Sequence, residues 1–187
     1  GYAMWAAFLP MVIIAKFIGL PLIYAYHLTI IIVDFCLLMI LNRLVPDRER
    51  LLLLVYWLSP IIILASYGLG LNDLIPALLV VLSIFFVKKV KLHLAGILVA
   101  LAISAKLSMV VALPFFVIYL YNNQALRQYM IRFVVSLALT TCLLWLPFLF
   151  SSAGIQIIFG NTEMEKIYFL AISLTGNISI YIVPLIY

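Results

Sequence analysis

Charged residues are scarce in this sequence: they make up 9% of its 187 residues, whereas 68% are hydrophobic. Soluble domains are roughly one quarter charged and half apolar, so a soluble globular fold is excluded. In the bilayer core every backbone polar group must be paired within the protein, which leaves helices or a closed barrel. The apolar runs are continuous stretches of roughly 16–22 residues rather than alternating segments of roughly 10. We therefore predict an all-α, polytopic helical membrane protein with about six to eight hydrophobic helices.

Cysteine and histidine each occur only twice in the sequence. Cys36 and Cys142 each lie inside an apolar run, where a thiol behaves as a small hydrophobe, so no disulfide is predicted. His27 and His93 are far apart and no cysteine pair accompanies them, so metal-ligand spacing is absent and we predict neither metal nor cofactor.

Local motifs for soluble chemistry are also missing from the sequence. It contains no G-x-x-x-x-G-K-[ST], G-x-G-x-x-G or G-x-S-x-G, which leaves nucleotide binding and serine hydrolysis without local support. Basic residues follow the loops without interleaved aromatic residues, so nucleic acid is not a predicted partner.

No cleavable signal peptide is visible at the start of the sequence. The first 20 residues lack the basic start and small-residue cleavage site of a signal peptide. The chain begins at Gly1 rather than Met and ends inside an apolar run, Ser179–Tyr187. We therefore expect a single transmembrane helical domain over residues 1–187, truncated at both ends.

Hydrophobic runs fill most of the chain, and several are shorter than the roughly 20 residues of a full span. The runs are Ala3–Ile18, Leu22–Leu41, Leu51–Tyr67, Leu74–Val87, Leu92–Ala105, Leu107–Tyr121, Phe133–Phe150 and an incomplete one from Ile178. Turns are predicted at Gly19-Leu-Pro21, Val45-Pro-Asp47, Gly68-Leu-Gly70 and Asn122-Asn123.

Three basic clusters predict the orientation in the membrane, because short cytoplasmic loops carry an excess of Lys and Arg. They are Arg43, Arg48 and Arg50; Lys88, Lys89 and Lys91; and Arg127 with Arg132. All fall on one side if each run from Leu22 to Phe150 crosses once. The opposite, outer side then receives Asp73, Lys106, Glu163, Glu165 and Lys166. Lys16 is not assigned, since residues 1–18 either cross the membrane or lie along its outer surface.

Three outer-side residues are candidate binding residues. Asn72 and Asp73 follow a Gly-rich turn directly before a predicted helix, so either could simply cap that helix; alternatively, Asp73 orients a polar substrate or a partner side chain. Lys106 lies between two short apolar runs, where its ammonium either snorkels to the interface or binds an anion such as a lipid phosphate.

Asp34 is an acidic residue in the middle of an apolar run, and His27 lies two turns earlier on the same helix face. An intramembrane carboxylate is a functional candidate that should face the bundle interior. The structural alternative, which we favour, is a hydrogen bond to a neighbouring helix.

Five short motifs follow one another in the order Leu58-Ser-Pro60, Tyr67-Gly-Leu-Gly-Leu-Asn-Asp73, Leu94-Ala-Gly96, Ile103-Ser-Ala-Lys106 and Leu113-Pro-Phe115. This order resembles the central membrane segment of GT-C glycosyltransferases, in particular the polyprenyl-phosphate-mannose-dependent mannosyltransferases. The family pattern has a Pro near a helix end, G-x-x-D on the outer side, A-G in the next helix, and a Lys before a helix ending in L-P.

The resemblance implies a GT-C-like fold and an inverting transfer of mannose or another hexose from a polyprenyl-phosphate donor on the lumenal or periplasmic face. Lys106 would lie near the donor phosphate, with Asn72 and Asp73 among the substrate-binding residues. The catalytic base of the family lies in the first outer loop, which is expected upstream of Gly1, so no catalytic residue is assigned here.

The implied setting is a multi-pass protein of the bacterial or archaeal plasma membrane or the endoplasmic reticulum, whose partners are the lipid-linked donor and the bilayer. Membrane protein partners stay open. Two alternatives remain: a lipid or solute transporter with His27, Asp34, Asp73 and Lys106 along its path, and a non-catalytic membrane subunit of a larger complex.

Overall fold

Helices form nearly every element of the computed structural model, which describes residues 2–150, 171–175 and 178–181. The α-helices are α1 Tyr2–Ile18, α2 Leu22–Leu44, α3 Glu49–Leu52, α4 Pro60–Ile63, α5 Leu74–Lys88, α6 Leu92–Ala105, α7 Ala112–Asn122, α8 Gln124–Arg127 and α9 Met130–Leu149. Two 3-10 segments, Pro46–Arg48 and Leu107–Val111, and two π-helical turns, Leu53–Trp57 and Leu64–Gly68, complete the helical part. The helical class predicted from composition is confirmed for residues 2–150.

A two-stranded antiparallel sheet is the exception to the helical class. Strand β1, Ala171–Thr175, pairs with β2, Ile178–Tyr181, and Ile172 lies opposite Ile180. The hydrophobic run predicted from Ile178 therefore starts as a strand. Apolar and hydroxyl residues alternate in both strands, a period of two that suits a strand better than a helix. Glu163, Glu165 and Lys166, which the sequence assigned to the outer side, lie outside the described residues.

Within residues 2–150, two helices are long and apolar enough to cross a membrane, namely Leu22–Leu44 and Met130–Phe148. A bent pair, Pro46–Trp57 with Pro60–Gly68, raises the number to three if it counts as one span. Helices α1, α5, α6 and the segment Leu107–Asn122 are apolar but shorter. At 1.5 Å per residue the 15 residues of α5 extend about 22 Å, against the roughly 30 Å of a hydrocarbon core. These lengths indicate a membrane protein with two or three spans that are long enough alone.

The predicted run Leu51–Tyr67 is not one helix but is broken at Ser59 and Pro60. Proline lacks an N–H and disfavours helical backbone at the preceding residue. Ser59 accordingly has an extended backbone, with φ −64° and ψ 118°. The helix axis bends by 48° between the two halves. We call Pro46–Gly68 the broken segment.

The helices alternate between two ends. At the basic end, Nζ of Lys88, the last residue of α5, donates to the carbonyl oxygen of Leu44 at 3.1 Å. At the Asp73 end, Lys106 after α6 contacts Asp73 before α5. The first two basic clusters therefore lie at one end and the Asp73–Lys106 pair at the other, as the charge pattern predicted.

Helices α6 and α9 approach each other closely at Gly96. A Cβ on Gly96 would lie less than 3.0 Å from Ser136 Oγ and the Phe133 carbonyl oxygen, and 3.1 Å from the Leu137 nitrogen. Small residues allow such backbone contacts between membrane helices. Gly96 is near the start of α6 and Phe133 near the start of α9, so the third basic cluster, which includes Arg132, also lies towards the basic end.

Two buried apolar clusters stabilise the helical part. One joins α5, α6, α7 and α9 and includes Val99, Leu120 and Phe133, with Phe116 and Phe133 stacked at a ring-centroid distance of 5.7 Å. The other joins α2 and α5 through Ile30 and Ile75, and side chains from α1 and both π-helical turns of the broken segment pack against it. These clusters fix the two ends of α5 and α6 that carry Asp73 and Lys106.

Candidate functional site

Lys106 is held at a sharp change of backbone direction. It ends α6 with an extended backbone, φ −146° and ψ 118°, and the next residue begins the 3-10 segment Leu107–Val111. Its N–H donates to the Ala102 carbonyl at 2.9 Å and its own carbonyl accepts from Met109 at 3.0 Å. The backbone that carries the Lys106 side chain is thus held by hydrogen bonds on both sides.

Asp73 occupies the position before α5 but does not cap that helix with its side chain. Its backbone carbonyl accepts from the Ala77 N–H at 3.2 Å, while its carboxylate accepts a hydrogen bond from Lys106 Nζ at 2.6 Å. Of the two interpretations from the sequence, the structure supports contact with a partner side chain over capping. Asn72 is next to this pair, and its carbonyl oxygen accepts from Ile75 N at 3.2 Å.

The Asp73–Lys106 pair is partly exposed. The side chain of Lys106 is 29% exposed and that of Asp73 is 49% exposed. Ion pairs at this level of exposure contribute little to folding stability, about 0–1 kcal/mol. The Lys106 ammonium has three N–H donors, and among the described residues it donates to Asp73. The arrangement therefore leaves donors available for a further anion.

The loop that carries Asp73 is attached to α2 at two points, Tyr67 and Gly70. Tyr67 Oη donates to Asp34 Oδ2 at 2.6 Å, and Tyr26 Oη donates to the Gly70 carbonyl oxygen. Gly70 has φ +67°, a left-handed conformation that glycine adopts without strain, and a side chain there would face the Tyr26 hydroxyl. The position of Asp73 is thus coupled to two tyrosines and one buried carboxylate.

Asp34 faces the interior, as expected for an intramembrane carboxylate, and is 3% exposed. Tyr56 Oη donates to its Oδ1 and Tyr67 Oη to its Oδ2. Both tyrosines belong to the π-helical turns of the broken segment. The preferred structural interpretation, a hydrogen bond to a neighbouring element, agrees with this geometry. Sequence reasoning missed Tyr56 and Tyr67, although a buried Asp requires such donors.

His27 is not part of the same contact set. Its Nδ1 lies 2.9 Å from the Ile23 carbonyl oxygen one turn earlier, and its ring lies edge-on to Tyr26 with 5.7 Å between centroids. The helix face shared by His27 and Asp34 therefore does not bring these two side chains into a hydrogen bond. Within the described part, no three His, Cys, Asp or Glu residues are grouped so as to hold a metal ion.

A groove of about 170 Å3 lies near the basic end between α2 and α3, away from the Asp73–Lys106 pair. Across it, Asn42 Nδ2 donates to Glu49 Oε1 at 3.3 Å. It brings no titratable cluster together beyond this contact, so the Asp73 end has the stronger case as a functional site.

Comparison with known proteins adds no identity: no family model, no curated protein and no solved structure matches this chain.

Proposed function

We propose that the chain is the membrane core of a GT-C-like glycosyltransferase, which transfers mannose or another hexose from a polyprenyl-phosphate donor to an acceptor on the lumenal or periplasmic face. The observation that carries the proposal is the Asp73–Lys106 ion pair, at the end of the helices opposite the basic clusters. The protein is proposed to be multi-pass, with six or more crossings that include the short helices α5 and α6.

Lys106 is the proposed phosphate-binding residue. Its ammonium lies 2.6 Å from Asp73 Oδ1, and its remaining N–H donors suit phosphate oxygens. Asp73 holds the cation in place, and Asn72, next to it, is the proposed third polar contact for substrate. A cation that is fixed before the substrate arrives costs no reorganisation during the reaction.

The reaction in this proposal is a displacement at the anomeric carbon. The acceptor oxygen forms a bond to that carbon while the bond to the phosphate oxygen breaks, and the electron pair stays on the polyprenyl phosphate. Lys106 stabilises the negative charge that grows on the leaving phosphate. The acceptor proton passes to a general base, which we do not assign to a residue of this sequence.

The test is sugar transfer by protein reconstituted in lipid with saturating polyprenyl-phosphate-linked sugar. We expect Lys106→Met, which keeps the apolar stem, to lower turnover at least tenfold, equivalent to about 1.4 kcal/mol of transition-state stabilisation. Lys106→Arg should retain part of the activity, because the charge survives with a different shape. Lys91→Met is a matched control, since Lys91 flanks the other end of α6 and is exposed.

A double variant separates phosphate binding from simple charge pairing. If Lys106 only neutralises Asp73, then Asp73→Asn combined with Lys106→Met should restore turnover. If Lys106 binds the donor phosphate, the double variant stays as inactive as Lys106→Met. Wild-type turnover by Lys106→Met itself would contradict the proposed site.

The broken segment favours a second candidate, a lipid or solute transporter. Interrupted helices and buried carboxylates are features of transporter binding sites, and here both meet at Asp34. Proteoliposomes containing the protein would favour this candidate over the transferase if they took up a lipid or solute but showed no sugar transfer. Asp34→Asn should then abolish the uptake.

A further inference from the structure

One side chain of α2, that of Asp34, hydrogen-bonds both halves of the broken segment. Asp34 accepts one phenol on each carboxylate oxygen, from Tyr56 before the break at Ser59 and from Tyr67 after it. Because the two donors come from opposite halves of a segment bent by 48°, the carboxylate joins the halves to each other as well as to α2. We call Asp34, Tyr56 and Tyr67 the carboxylate clamp.

Burial explains why the contact is specific. At 3% exposure Asp34 has no access to solvent in the structure, so its oxygens depend on protein donors. Each tyrosine belongs to a π-helical turn that brings it to Asp34. Such turns are rare in proteins, and those that occur are often found at functional sites. Helix propensity alone would not select two π-helical turns, one on each side of the break.

The clamp continues directly into the candidate site. Tyr67 directly precedes Gly68, and Asp73 is only the fifth residue after Gly68. Between them the loop has a second attachment, the hydrogen bond from Tyr26 to the Gly70 carbonyl oxygen. Within this loop the Leu69 N–H donates to Leu64 at 2.8 Å and the Leu71 N–H to Ala65 at 2.9 Å. The loop geometry, and with it the contact between Asp73 and Lys106, therefore depends on where Tyr67 is held.

We propose that the carboxylate clamp of Asp34, Tyr56 and Tyr67 sets the bend of the broken segment and thereby positions Asp73 against Lys106. These are positioning residues, since they act through the Asp73–Lys106 pair. The functional part of this inference rests on the proposed function, while the structural part concerns the loop alone.

Hydrogen exchange of the loop tests the structural part. Tyr67→Phe removes one hydroxyl and keeps the ring, so the fold should survive. We expect the Leu69 and Leu71 amides to exchange at least tenfold faster, which corresponds to about 1.4 kcal/mol, with α5 unchanged. Tyr24→Phe is the control, because Tyr24 lies on the exposed side of α2, 61% exposed. Unchanged loop exchange, or equal acceleration throughout α5, would overturn the clamp.

Tyr56→Phe provides a second measurement on the other half. The Leu58 N–H donates to Leu53 at 2.8 Å and the Ser59 N–H to Tyr56 at 3.1 Å, directly before the break. We expect this variant to accelerate exchange at Leu58 and Ser59 more than at Leu71, and Tyr67→Phe to show the reverse. The same profile for both variants would indicate general loosening and contradict the clamp.

Sugar transfer tests the functional part through a double-mutant cycle. If Tyr67 acts through the ion pair, Tyr67→Phe lowers turnover in the wild-type background and has no further effect in Lys106→Met. Additive losses would overturn the positioning role. Absence of transfer by the wild-type protein would reject the proposed function but leave the exchange experiment to decide the clamp.

Discussion

Gly96 provides a quantitative test of the packing that holds α6, and with it Lys106. Replacing glycine by alanine inside a helix normally stabilises the helix by about 0.5–1 kcal/mol. Here the new methyl group would lie under 3.0 Å from Ser136 Oγ and the Phe133 carbonyl oxygen. The carbonyl belongs to the backbone of α9, so the clash is relieved only if the helices separate. Overpacking of this kind costs about 1–3 kcal/mol, so the clash outweighs the propensity gain.

Taking a net cost of about 1–2 kcal/mol, near the middle of these ranges, and about 2–4 °C per kcal/mol for a chain of this size, we expect Gly96→Ala to lower the thermal unfolding midpoint of the purified protein by roughly 2–8 °C. Gly68→Ala is the matched control, because its nearest neighbour is Leu64 Cδ1 at 3.1 Å, the end of a flexible side chain. Adding Ser136→Ala should recover only part of the loss, since the Phe133 carbonyl remains. An unchanged or higher midpoint for Gly96→Ala would refute the close contact between α6 and α9.

Two further predictions concern the Asp73 end and the orientation. Asp73→Asn should lower sugar transfer while leaving the unfolding midpoint nearly unchanged, because the carboxylate does not cap α5 and its ion pair is half exposed; wild-type transfer by this variant would contradict a role for Asp73. With Cys36 and Cys142 replaced by Ala, cysteines at Asn72 and Glu163 should react with an impermeant thiol reagent added from outside, and one at Arg48 should not. Labelling of Arg48→Cys from outside would reverse the orientation and with it the site assignment.

Helix positions were largely predictable from the sequence, because long apolar runs ended by Gly, Pro or basic residues leave few alternatives. The run Leu92–Ala105 coincides with α6, and the run from Leu74 ends one residue before α5 does. The break at Ser59 was also foreseeable, since Pro60 lies inside the predicted run Leu51–Tyr67. The two strands were not predicted, although apolar and hydroxyl residues alternate within both.

Side-chain partners were not predictable to the same degree. The charge pattern put Asp73 and Lys106 on one side, but a contact at 2.6 Å between residues 33 positions apart depends on how α5 and α6 pack. Tyr56 and Tyr67 are two of 11 tyrosines, and only the π-helical turns bring these two to Asp34. Periodicity predicts which face a residue occupies in a regular helix, and it fails where the helix is irregular.

Asp34 and Asp73 differ in exposure and in whether their partners can still bind a ligand. This difference decides which of the two is the better candidate for chemistry. Asp34 is buried, and both of its oxygens accept phenol donors from the same chain, so a ligand would have to displace an internal contact. Asp73 is half exposed and contacts a lysine whose ammonium has further donors to offer. The ammonium donors of Lys106 are therefore available for an anion, whereas the acceptor oxygens of Asp34 already hold the broken segment. The Asp73–Lys106 pair and the carboxylate clamp are thus separate groups of residues, connected through the loop between Tyr67 and Asp73.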